Sequence, residues 1–78
     1  MAAAMAKRYR VEFILISCNP DGSREARTIG REWVWTTSSK NAERLARRRT
    51  GFGDRANCRS DGVIEWYDAD VLEVASEH

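Results

Sequence analysis

The stretch TTSSKNAERLARRRTGF, residues 36–52, decides the fold, because here alone the apolar positions fall at helical spacing rather than alternating. Ala42, Leu45, Ala46 and Arg49 share one face with Phe52 just beyond, a narrow stripe of small side chains that lets a helix lie close to a sheet. The spacing predicts a helix over residues 40–50. Ser39 is the expected N-cap, its hydroxyl accepting from a free first-turn amide. Gly51 stands where a left-handed C-cap belongs, and Arg47, Arg48 and Arg49 fill the last turns, where cations favour the negative end of the helix dipole.

Both flanks of this helix read as strands. Residues 8–18 alternate, with Tyr9, Val11, Phe13 and Leu15 on one face and Arg10, Glu12, Ile14 and Ile16 on the other. Residues 13–16 are apolar on both sides, which predicts a strand that is central in the sheet or covered on both faces. Asn19-Pro20-Asp21-Gly22 is turn chemistry, and a return strand is expected over residues 23–37. Ile29, Trp33 and Trp35 are expected on one side of it, with Gly30 marking a bulge or bend that splits it into two pieces. After the helix, residues 54–60 suit a short polar strand, Asp61-Gly62 a hairpin turn, and residues 63–67 a β-branched and aromatic strand. Residues 71–74 are expected as a short last strand or a hydrophobic clasp. The expected fold is α+β in β-β-α-β-β order: one antiparallel sheet of four to five strands with a single α-helix on one face.

A chain of 78 residues fills one hydrophobic core, so residues 1–78 form one domain. Residues 1–7 are expected as a frayed N-terminus. A core this small is a modest source of stability, which makes a monomer or a weak homodimer the expected state. No apolar run reaches the length of a membrane span, and the early Lys7 and Arg8 follow rather than precede the small-residue leader, the reverse of a signal peptide. Cys18 and Cys58 lack the short spacing of a zinc site or disulfide framework and are expected as reduced, half-buried thiols in a cytoplasmic protein.

Net charge is +1, yet it is unevenly placed. Residues 38–59 carry seven Lys/Arg against two Asp/Glu, whereas residues 60–78 carry six Asp/Glu and no Lys/Arg. Such a dipolar surface suits docking to a partner.

Catalytic chemistry is not legible. The single histidine, His78, is the last residue. No Ser, Thr or Cys has a recognisable base, and Asp68 with Asp70 reads as a solvated turn. Gly51-Phe52-Gly53 follows a helix rather than opening one, so it offers no helix N-terminus to a phosphate. No metal or cofactor motif is present, and the expectation is a protein that is not an enzyme.

What remains is a binding surface. Lys40, Arg44, Arg47 and Arg48 are spaced to project away from the apolar stripe as one outward basic face, which Arg55 and Arg59 extend. Planar guanidinium forks suit carboxylates on a protein or phosphates on nucleic acid. Trp66 and Tyr67 are adjacent in a strand and must point to opposite faces, so one of them is expected outside, where an aromatic beside arginines makes a binding hot spot. Trp66 is therefore taken with the helix cations as a partner-contacting residue.

Residues 39–52, read as S-x-x-A-E-R-L-A-R-R-R-T-G-F, resemble the small phage-encoded anti-CRISPR proteins of type I systems. In that family a curved antiparallel sheet wraps one basic helix whose core reads A-x-R-hydrophobic-A and ends in an aromatic. Ala42, Leu45, Ala46 and Phe52 match the core positions, and Arg44 and Arg48 match basic residues that face the target. Glu43 departs from the basic residue expected there, and Arg47 and Arg49 add charge.

The resemblance implies a non-enzymatic viral inhibitor that evades host defence in the bacterial cytoplasm. It would dock on subunits of the type I CRISPR surveillance complex and block target-DNA recognition. Asp61, Glu65, Asp68, Asp70 and Glu73 would then face a basic nucleic-acid channel as a partial phosphate mimic. The alternatives are a direct nucleic-acid-binding module using the same helix face, with non-specific DNA contact, or another small phage interaction protein.

Overall fold

A segment apolar on both faces belongs in the middle of a sheet, and that is where the first strand lies. The computed structural model describes residues 5–74. Its elements are β1 (Lys7–Cys18), β2 (Arg24–Thr36), α1 (Ser39–Thr50), β3 (Asn57–Cys58) and β4 (Ile64–Val74). All pairings are antiparallel and the order is β2-β1-β4-β3, so β1 is interior. Residues 1–4 of the expected frayed segment and His78 lie outside the described residues. Lys7, expected in that segment, instead opens β1 and pairs with Glu73 at 3.0 Å.

Both hairpins close as their turn residues predict. Gly22 and Gly62 take positive φ angles of 89° and 86°, and each donates its N–H three residues back, to Asn19 O and Arg59 O. The downstream elements differ from expectation. The short polar strand shrinks to Asn57–Cys58, and the two pieces expected over 63–67 and 71–74 are one continuous β4. No fifth strand is present among the described residues. Asp68 and Asp70 do not break β4, because their register opposite Ile14 and Glu12 puts both on the open face of the sheet, where carboxylates stay hydrated.

Gly30 does mark an irregularity, without dividing β2. Phe13 pairs with Gly30 while Ile14 pairs with Thr28, so Ile29 is an extra residue. The extra residue inverts the phase of everything after it. Val34 and Thr36 turn toward the helix and are buried, whereas Trp33 and Trp35 lie on the opposite face, 44% and 65% exposed. Ile29 packs on the core at the bulge itself, so it does not share a side with the two tryptophans.

The core is small: Tyr9, Val11, Phe13 and Val34 of the sheet against Ala42 and Ala46 of α1. Phe52, immediately after the helix, meets Phe13 edge-on at 5.2 Å and stacks on Tyr67 at 4.8 Å. A Cβ on Gly30 would sit 3.3 Å from the Phe52 ring, so the glycine also admits that ring against β2. The N-cap is Ser38 rather than Ser39: its Oγ accepts from Asn41 N at 3.2 Å. Gly51 is the left-handed C-cap, φ 81°, donating to Arg47 O. Twelve helical residues span ~18 Å and twelve strand residues ~40 Å, so α1 covers only one half of the sheet.

Candidate functional site

The outward side of α1 keeps most of its expected charge. Lys40, Arg44 and Arg48 are exposed, and among the described residues none of them, nor exposed Arg55 in the following loop, forms an ion pair. Arg44 is oriented along the helix by donating to Asn41 Oδ1 at 2.6 Å. Lys40, Asn41, Arg44 and Arg47 share a shallow groove of about 400 Å³ with Ser38, Glu43 and Asp54.

Arg47 corrects the expectation of a four-cation outward face. Its Nε donates to Glu43 Oε2 at 2.9 Å, and its Nη1 to the carbonyls of Gly53 at 2.8 Å and Tyr67 at 3.1 Å. The guanidinium carbon lies 5.7 Å from the Phe13 ring centroid. Arg47 thus fastens helix, loop and β4 together. Arg49, placed by its spacing on the inward stripe, is exposed and reaches the sheet edge, donating to Trp33 O at 3.4 Å.

Among the described residues, the carboxylates of the C-terminal segment make no ion pair with the helix cations. Glu73 pairs with Lys7, while Asp61 and Glu65 both pair with Arg59, at 3.0 and 3.6 Å. Arg59 is therefore neutralised and does not extend the basic face. Asp68 and Asp70 lie across the sheet from α1, whereas Glu65 and Glu73 lie on its side, so these carboxylates form no single acidic surface. The hydrogen bond to Glu73 raises the Lys7 pKa, and that from Arg31 lowers the Glu12 carboxyl.

Trp66 and Tyr67 separate as the alternation requires. Tyr67 stacks under the helix and Trp66 lies on the far face beside Ile16, with the Arg24 guanidinium 5.7 Å from its ring centroid. Trp66 is thus not part of the helix surface. The sequence-chosen set divides into Lys40, Arg44, Arg48 and Arg55 on or after the helix, Arg47 in the seam, and Trp66 behind the sheet. The far face also holds a contact the sequence reading missed, Arg8 stacked over Trp33 at 4.3 Å. Its signal was Gly30, whose bulge decides which way both tryptophans point.

Cys18 is half-buried and Cys58, expected half-buried, is exposed on β3; both are free thiols. Among the described residues no three His, Cys, Asp or Glu side chains are grouped to hold a metal ion, and no helix is long and apolar enough to cross a membrane.

Comparison with protein-family models finds none that matches this chain, and comparisons with curated proteins and with solved structures also find no match.

Proposed function

We propose that this chain is a non-enzymatic docking protein that inhibits a type I CRISPR surveillance complex, binding its subunits stoichiometrically in the host cytoplasm and blocking target-DNA recognition. One observation carries the reading: Lys40, Arg44 and Arg48 stay exposed and, among the described residues, free of ion pairs on a helix fixed at both caps and clamped by Arg47. A helix backbone fixed in this way loses little freedom on docking, which favours affinity. Guanidinium forks recognise planar carboxylates, so an acidic patch on a protein subunit is the contact of best chemical fit. The target complex is the one that the helix resemblance implies.

Direct nucleic-acid binding is the weaker reading. It asks for stacking aromatics beside the phosphate-binding cations, and the three tryptophans belong to strands whose side chains at those positions face away from α1. A mobility shift with single-stranded DNA at low salt checks it, and absence of a shift is expected.

The docking reading is tested by measuring binding of the protein to an immobilised, purified type I complex. Wild type is expected to bind at about one copy per site, and Arg44→Glu/Arg48→Glu, with an unchanged circular dichroism spectrum, to bind at least ~100-fold more weakly. No binding by wild type at tens of micromolar would exclude this target.

A further inference from the structure

The sheet face turned away from α1 carries more large apolar side chains than the core beneath the helix, two of whose six buried residues are alanines. Trp33, Trp35, Leu72 and Ile64 are between 42% and 65% exposed there. Ile14, Ile16, Trp66 and Val74 add half-buried surface to the same side. A patch of this extent on a small soluble domain marks an interface.

We propose that a second copy of this chain covers that face, giving a two-fold dimer with the sheets packed back to back and the helices outside. The pairing register lays the face out in rows across β2, β1 and β4. One end reads Trp35, Arg8, Val74, then Trp33, Arg10, Leu72; the next row is Arg31, Glu12, Asp70. The β2 flank is therefore bulky and cationic, and the β4 flank at the same level is slimmer and anionic. Toward the other end the sizes reverse, with Ala26 on β2 and Trp66 on β4.

A two-fold axis along β1 sets each flank against the opposite flank of the other copy, so large meets small and Arg31 meets Asp70 near the centre. Such self-complementarity is what an isologous interface requires.

The two central groups are available for this pairing. Arg31 binds Glu12 through Nε and Nη2 alone, at 3.1 and 2.7 Å, and its Nη1 has no partner among the described residues. Asp70 has no ion pair or side-chain hydrogen bond among them either. On the axis Arg8, Arg10 and Glu12 each come opposite the same residue of the other copy. Arg8 is drawn aside over Trp33, and Arg10 and Glu12 alternate along β1, so each Arg10 lies one row from the Glu12 of the other copy.

Three strands at ~4.8 Å spacing and eleven residues at ~3.3 Å make a slab of roughly 500 Å² in projection. Its corrugated accessible surface approaches the ~800 Å² that each partner contributes to a stable interface. The face sets Arg8, Arg10, Arg24 and Arg31 among Glu12, Asp68 and Asp70, so its charge is mixed and offers no continuous basic track for a phosphate backbone, which disfavours nucleic acid as the occupant.

Sedimentation equilibrium of the full chain tests the proposal. Wild type is expected to dimerise with a dissociation constant on the order of ten micromolar. Arg31→Asp and Asp70→Arg should each weaken the dimer about tenfold or more, and the double swap should return it to within about threefold of wild type. Trp35→Ser, at a position too exposed to matter for folding, should weaken it about tenfold as well. Arg44→Glu/Arg48→Glu should leave it unchanged, which separates this interface from the helix surface. A wild type monomeric at about 100 μM overturns the proposal. So does a dimer indifferent to the face variants, which would be pairing through the open β2 edge. Single swaps that the double swap does not rescue, or binding of an oligothymidine strand abolished by Trp35→Ser, also overturn it.

Discussion

Arg47 of the helix donates to the carbonyl of Tyr67 on β4 at 3.1 Å, across the seam where the Phe52 ring stacks on Tyr67. The same guanidinium holds Glu43 and Gly53, so one side chain joins the helix, the loop after it and the sheet. An arginine in the middle of a basic run is thus structural, while its neighbours Arg44 and Arg48 face solvent.

Arg47→Ala is expected to lower unfolding free energy by ~2 kcal/mol, because hydrogen bonds to a charged donor contribute ~1.5–3 kcal/mol and two acceptor carbonyls lose their partner. Arg48→Ala, with no such contacts among the described residues, should change it by less than ~0.5 kcal/mol. Urea denaturation of the two variants provides the comparison, and equal midpoints would remove the seam role of Arg47.

The helix start gives a second comparison. Ser38 Oγ accepts from Asn41 N, so Ser38→Ala should cost ~1 kcal/mol, whereas Ser39→Ala, inside the first turn, should cost only a few tenths. Thermal melts of both distinguish the cap, and the reverse ranking would move it to Ser39.

At Gly30 a methyl group would press on Phe52 Cε2 at 3.3 Å, and that ring cannot retreat easily, being held between Phe13 and Tyr67. Gly30→Ala is expected to destabilise by ~1–2 kcal/mol as an overpacked site. Gly53→Ala, where a Cβ meets nothing within 4 Å, is the control and should be near neutral.

Stability should also fall in acid. Hydrogen bonds from Arg31 to Glu12 and from Ser23 to Asp21 hold both carboxyls below their ordinary range in the folded state. Groups depressed on folding contribute stability that is complete above their unfolded pKa, near 4, and is lost as pH falls through the lower folded value. Glu12→Gln should therefore flatten part of the stability change between about pH 4.5 and 2. An unaltered slope would show that the Arg31 contact is not maintained in solution.

Much of this architecture is legible in the chain. The central position of β1 follows from residues 13–16 being apolar on both faces, and the two glycine turns and Gly51 cap follow from residue chemistry. The continuity of β4 is not legible locally, because Asp68 and Asp70 resemble a loop until the full-length partner β1 is known. The facing of Trp33 and Trp35 is hidden for a related reason: alternation predicts that they point together, but a bulge fixes the phase and depends on pairing across the strand. The helix cations are partly legible. Periodicity separates Arg44 and Arg48 from the core, but Arg47 is drawn inward by carbonyls of residues 53 and 67, which no local pattern reveals.

The most direct measurement is target-DNA capture by a purified type I surveillance complex preincubated with this protein. Capture is expected to fall in proportion to added protein and to stop at saturation, while the folded Arg44→Glu/Arg48→Glu protein leaves capture intact. Full capture in excess wild-type protein, or equal inhibition by the double variant, would contradict a function exerted through the exposed arginines of α1.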